Sequence, residues 1–231
     1  MQARIIPTVA LAILLQTLAG GAQAEDAKTP YPAMAPLDQY LMDANAEIAL
    51  ARSAAPASVS GAAEVLVMGR QGYKTAVKGS NGFVCMVMRS WTAGRGERDF
   101  WNPKLRGPAC FNAAAVRTFL PIVIRKTELV LAGKSQDQMF ADVESALDSK
   151  ELPPIEAGSM CYMMSKQGYL NDSAGHWHPH LMFFVSHAKP EDWGANLPGS
   201  PMLASDDPED RLVVFMQPVD DWSDGTPGPK M

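Results

Sequence analysis

Cysteine and histidine are scarce in this 231-residue chain, with three of the first and four of the second. There is no C-x-x-C pair, which excludes the usual dithiol oxidoreductase centre and c-type haem attachment. H-E-x-x-H, G-x-S-x-G and a G-x-G-x-x-G following a strand are all missing, and with them the commonest zinc-peptidase, serine-hydrolase and dinucleotide signatures. Ala132-Gly133-Lys134-Ser135 imitates the end of a phosphate-binding loop, but Glu128 stands where the first glycine belongs and a helical run precedes it. Ser186-His187-Ala188-Lys189 matches S-x-x-K by letter only, without the companion S-D-N and K-T-G motifs. Positive charge is also short: 20 Lys and Arg against 25 Asp and Glu give a net charge of -5, which argues against a nucleic-acid backbone as the main partner.

Apolar residues, by contrast, are plentiful. At 47% hydrophobic the chain has the material for one ordinary core and does not read as disordered. Residues 1–24 look like a Sec-type signal peptide. Arg4 supplies a positive start, residues 5–18 a short apolar stretch, and Ala22-Gln23-Ala24 a small-x-small cleavage pattern. The expectation is cleavage between Ala24 and Glu25, a periplasmic or secreted location, and no membrane span afterwards. An oxidising compartment permits disulfides. Three cysteines allow at most one internal pair, and Cys85–Cys110 is the preferred one because the glycines and prolines between them let the chain fold back. Cys85–Cys161 competes, and three buried thiols are the plain alternative.

Along the rest of the chain, residues 25–36 read as a flexible leader and residues 223–231 as a flexible tail, bracketing one α+β domain over 37–222. Residues 38–54 have helical spacing with Asp38 as cap. Residues 63–69, 72–79 and 82–91 read as a three-stranded antiparallel meander, with Asn81-Gly82 as a hairpin signal. Residues 92–111 look irregular. Residues 112–132 read as a helix kinked or restarted at Pro121, and Ser135 with Gln138 forms a capping box for another helix reaching about Ser149. Three more strands are expected within 158–165, 176–186 and 211–219, with a long loop over 188–210. The sum is a mainly antiparallel sheet of about six strands packed with two to three helices.

All four histidines fall between 176 and 187. On a strand, His176, His178 and His180 share one face. An H-x-H pair places two imidazoles about 7 Å apart by Cα, which suits two ligands to one zinc or copper ion; His176 and His180 are about 13 Å apart in a straight strand, so two of the three are the better bet. Asp172, Glu156, Cys161 and His187 are candidates to complete the shell. Methionines in the β-prone runs, among them Met163 and Met182, keep copper open but are more often core filler. The structural alternative is that the imidazoles simply pack or hydrogen-bond.

His176-Trp177-His178-Pro179-His180-Leu181-Met182 resembles the H-φ-H-φ-H-φ-φ motif of the histidine-triad nucleotide hydrolases and transferases. That resemblance implies phosphoryl or nucleotidyl chemistry with His178 as nucleophile. Phe83-Val84-Cys85-Met86-Val87-Met88-Arg89-Ser90-Trp91, the Pro108-Ala109-Cys110-Phe111-Asn112 segment, the histidine run and residues 193–201 together resemble an uncharacterised group of exported bacterial proteins, which implies no function. From the patch of His176, His178 and His180 itself, two roles are expected. One is a metal-assisted hydrolase with an imidazole-held ion and Glu156 or Asp172 as general base, the catalytic candidates being His178, Glu156 and Asp172. The other is a non-catalytic module that binds a small molecule or a metal ion.

Overall fold

A computed structural model describes residues 30–175 and 177–230. The expected signal peptide, its cleavage point, His176 and Met231 lie outside the described residues.

The first two strands, β1 (Glu64–Gly69) and β2 (Gly72–Val77), form a hairpin through Arg70-Gln71. The third, β3 (Val84–Met88), pairs with β1 in parallel, so the expected antiparallel meander does not form. The connection explains why. The chain crosses back to the start of β1, where Ser80 N–H donates to Ala62 O and Glu64 N–H to Phe83 O. Gly79 permits this crossing, since a Cβ there would lie 2.1 Å from Glu64 N. Asn81 anchors the turn through its side chain rather than making a two-residue hairpin: it donates to Val59 O and accepts from Phe83 N.

Five more strands complete the sheet: β4 (Gly107–Phe111), β5 (Met160–Met163), β6 (His180–Val185), β7 (Leu203–Asp207) and β8 (Leu212–Pro218). The order is β2-β1-β3-β4-β5-β6-β8-β7, with eight strands among the described residues where about six were expected. Every pairing but β1/β3 is antiparallel. The additions are β4, whose Gly107 and Pro108 read as loop, and β7, which lies inside the expected 188–210 loop. Asn196 covers the outer edge of β7, since its amide donates to Ala204 O and accepts from Ala204 N–H.

Among the described residues, five α-helical segments replace the expected two to three: α1 (Ala44–Arg52), α2 (Ala57–Ser60), α3 (Ala113–Thr118), α4 (Leu120–Leu131) and α5 (Gln136–Asp148). Asp43, not Asp38, caps α1, accepting from Asn45 N–H and Ala46 N–H. Asp38 lies in a separate 3-10 turn. Pro121 opens α4 instead of kinking one long helix, a position where its missing N–H costs little. The Ser135/Gln138 capping box is present as read.

Strand alternation sorts the core into layers. Val84, Met86, Phe111, Cys161, Met163 and Phe184 face α3 and α4. Val65, Cys85, Val87 and Cys110 face Leu50 and Ala51 of α1. Farther along that second face, Val213 and Phe215 are covered by the 190s loop, with Trp193 stacked 4.4 Å from Phe215.

Cys85 and Cys110 are direct register partners on β3 and β4 and form the expected disulfide. Cys161 is buried on the opposite face of the sheet, so it cannot replace Cys110. Residues 30–36 and 223–230, read as leader and tail, are tied to the domain. Ala35 N–H donates to Tyr40 Oη, Trp222 N–H to Thr226 O and Gly228 N–H to Asp220 O.

A buried ion pair joins α1 to the end of β3. Glu47 and Arg89 are both fully inaccessible, with Arg89 Nη2 2.9 Å from Glu47 Oε1. Met68 N–H donates to the same oxygen, and Arg89 Nε donates to Tyr40 O. Among the described residues, no helix is long and apolar enough to cross a membrane.

Candidate functional site

β6 begins only at His180, so the alternation argued for His176, His178 and His180 does not apply: His178 and Pro179 precede the strand. Pro179 has no N–H to give, yet its carbonyl accepts from Val219 N–H and continues the contact with β8. His180 is the first full ladder residue, opposite Met163 on β5 and Pro218 on β8.

The two described histidines of the run behave differently. His178 is exposed. His180 is only 7% exposed, and its Nδ1 lies 2.7 Å from His178 O. A carbonyl oxygen only accepts, so Nδ1 carries the proton. Burial pushes the His180 pKa down, with the bond to the His178 carbonyl opposing it. Burial thus favours the neutral ring, in which Nδ1 bears the proton and Nε2 the lone pair. Nε2 is buried and has no hydrogen-bond partner.

Trp177 forms one wall. It is 8% exposed and stands edge-on to His180, with ring centroids 6.0 Å apart. Gly168 makes room for the indole, because a Cβ at 168 would lie 2.5 Å from Trp177 Cζ2. The indole Nε1–H is also buried without a partner. A donor and an acceptor without partners thus belong to two touching rings. Neither the Trp177–Gly168 contact nor the cross-strand place of Met163 is signalled in the sequence: the place of Met163 depends on strand register, and the Trp177–Gly168 contact on how two irregular segments meet.

Met163 shares the face of His180, as do Met182 and Cys161, which are opposite each other two ladder steps farther in. Cross-strand partners have Cβ atoms about 5 Å apart. The side of the site formed by β5 and β6 is thus thioether and thiol, with burial pushing the Cys161 thiol pKa far up.

The acidic candidates are engaged by cations. Glu156 makes a two-pronged pair with Arg117, Nη2 to Oε1 at 2.6 Å and Nε to Oε2 at 2.9 Å. It precedes the start of β5, whereas His180 lies opposite the strand's last residue, Met163; three strand steps, about 10 Å, separate those two ends. Asp172 accepts from Lys104 Nζ at 2.8 Å and from the hydroxyls of Tyr31 and Tyr169. Those three donors, Lys104 first, hold its carboxyl well below the usual range. His187 follows the far end of β6 and is exposed. The structure therefore links His178 to His180 and puts Cys161 on the same face, but it does not bring Glu156 or His187 to them. Among the described residues, no group of three or more His, Cys, Asp or Glu is gathered as for a metal ion.

Comparison of the chain with family models, with curated proteins and with solved structures gives no match. The functional reading rests on the geometry of this chain.

Proposed function

We propose that the protein is an exported, non-catalytic binding module that holds a soft transition-metal ion at His180, Cu(I) ahead of Zn(II). One observation carries the reading: the imidazole is oriented by Nδ1–H donation to the His178 carbonyl while Nε2 is left bare and without a partner. Metal-binding histidines are held this way, one ring nitrogen fixed by a carbonyl and the other facing the ion. The neighbouring donors are thioethers rather than carboxylates, which favours Cu(I) over the harder divalent ions. His178, exposed and two residues before His180, is our candidate for a second imidazole. Export is supported by the Ala22-Gln23-Ala24 pattern and by the disulfide.

A hydrolytic role would need a free general base beside the ion. Glu156 is committed to Arg117 and Asp172 to Lys104, so neither carboxylate candidate favours that reading. The test is titration of the purified protein with Cu(I) in competition with a chromophoric chelator, and with Zn(II) by calorimetry. About one tightly held Cu(I) per chain is expected in the wild type, with loss in His180→Ala and weakening in Met163→Leu. The second variant conserves volume and guards against simple unfolding. Failure of the wild type to hold the ion, or unchanged affinity in a folded His180→Ala protein, overturns the proposal.

A further inference from the structure

A cavity of about 290 Å³ lies past the other end of β6, between the C-terminus of α5 and the β7–β8 turn. One side is apolar, formed by Leu147, Pro154 and Ile155. The other carries Lys150, His187 and Arg211. These three have φ of 62°, 55° and 56°, and with Asn196 they make up the non-glycine residues of positive φ among the described residues. The left-handed region is the natural place for glycine or asparagine, and other side chains are strained there. Three such positions around one cavity, each occupied by a basic side chain, point to a role for those side chains that the backbone alone does not require.

The fourth polar group is Asp210. It is 2% exposed and lines the cavity. Its Oδ2 is 2.7 Å from the buried Lys126 Nζ, but its Oδ1 has no hydrogen-bond partner. Arg211 already pairs with Asp148, whereas the Lys150 ammonium has no ion-pair partner among the described residues. The residues around the cavity thus include a buried carboxylate with one unpartnered oxygen, a lysine without an ion-pair partner and an apolar side.

We propose that this cavity binds an apolar α-amino acid in its zwitterionic form. The ligand's ammonium donates to Asp210 Oδ1, its carboxylate meets Lys150 and Arg211, and its side chain lies on Leu147, Pro154 and Ile155. A plain carboxylate leaves Asp210 Oδ1 unpartnered, and a plain amine leaves the Lys150 ammonium unused; only the zwitterion answers both. The volume is at the small end for ligand cavities, which suits a molecule of this size.

Calorimetry with L-leucine, 4-methylpentanoate and 3-methylbutylamine tests the assignment on the full-length protein. Leucine is expected to bind at least tenfold more tightly than either half-analogue. Lys150→Gly should raise the melting temperature, because glycine relieves the backbone at φ 62°, and at the same time weaken leucine binding about tenfold, the worth of a charge-assisted hydrogen bond. His180→Ala should leave leucine binding unchanged, which separates this site from the proposed metal site. Equal binding of leucine and 4-methylpentanoate, no binding of leucine, or unaltered binding in Lys150→Gly overturns the proposal.

Discussion

Glu47 and Arg89 show how strongly a single side chain matters when it is charged and sealed from water. Neither has any accessible surface, and each relies on the other for charge balance. Removing one partner leaves an uncompensated buried charge. Glu47→Ala is expected to cost about 3–5 kcal/mol, read from the denaturant midpoint. Replacing both by apolar residues of similar volume should cost far less. A second residue-scale effect is pH-dependent. Burial, with help from the neighbouring Asp210, pushes the Asp207 pKa from its ordinary 3.8 up to about 6, while Lys126 opposes the shift. The folded state therefore holds this proton more tightly than the unfolded state. The contribution of Asp207 is most favourable below pH 3.8 and is lost as pH rises through about 6. Asp207→Asn should remove that slope from urea midpoints measured between pH 4 and 7. Asp172 and Asp224 act in the opposite sense. Lys104 and Lys166 hold their carboxylates charged, so their support fades only in strong acid.

At the scale of elements, legibility tracked how local the determining interaction was. The capping box of α5 joins residues three apart and was readable. So were the core stretches of β5, β6 and β8, where apolar residues run together. β4 was hidden because Gly107 and Pro108 read as punctuation. Pro108 sits opposite Val87 of β3, at a point the ladder from β5 does not reach. β7 was hidden because Ala204, Ser205, Asp206 and Asp207 carry no apolar alternation; β8 and the Asn196 amide define it. The parallel turn of β3 depends on a backbone crossing at Gly79, which no local pattern announces. The candidate site was half legible: the clustering of histidines is a matter of sequence, but the start of β6 at His180 depends on its pairing with Met163 and Pro218. Two expectations follow. Asn196→Ala should uncover the edge of β7 and increase aggregation by light scattering, with little change in the unfolding midpoint of the soluble fraction. Gly168→Ala drives a methyl into the Trp177 indole, so it should disturb the wall beside His180 and weaken Cu(I) binding in the chelator competition.

For the whole molecule, the disulfide is the central constraint. It closes a loop spanning 25 residues in the middle of the sheet, and chain entropy gives that closure a worth of about 3.5 kcal/mol. The double variant Cys85→Ala with Cys110→Ala should lose about that much stability by chemical denaturation. The position of the bond also has a consequence for assembly. Side chains on a strand alternate faces, so shifting β4 by one residue against β3 would turn Cys110 toward the helices α3 and α4, away from Cys85. Cys161, on that other face, would then be its neighbour on the adjacent strand. The covalent bond therefore works as a proofreader of alignment: oxidation to Cys85–Cys110 certifies the correct register, and a bond to Cys161 would be the signature of a chain that had zipped one step out of place.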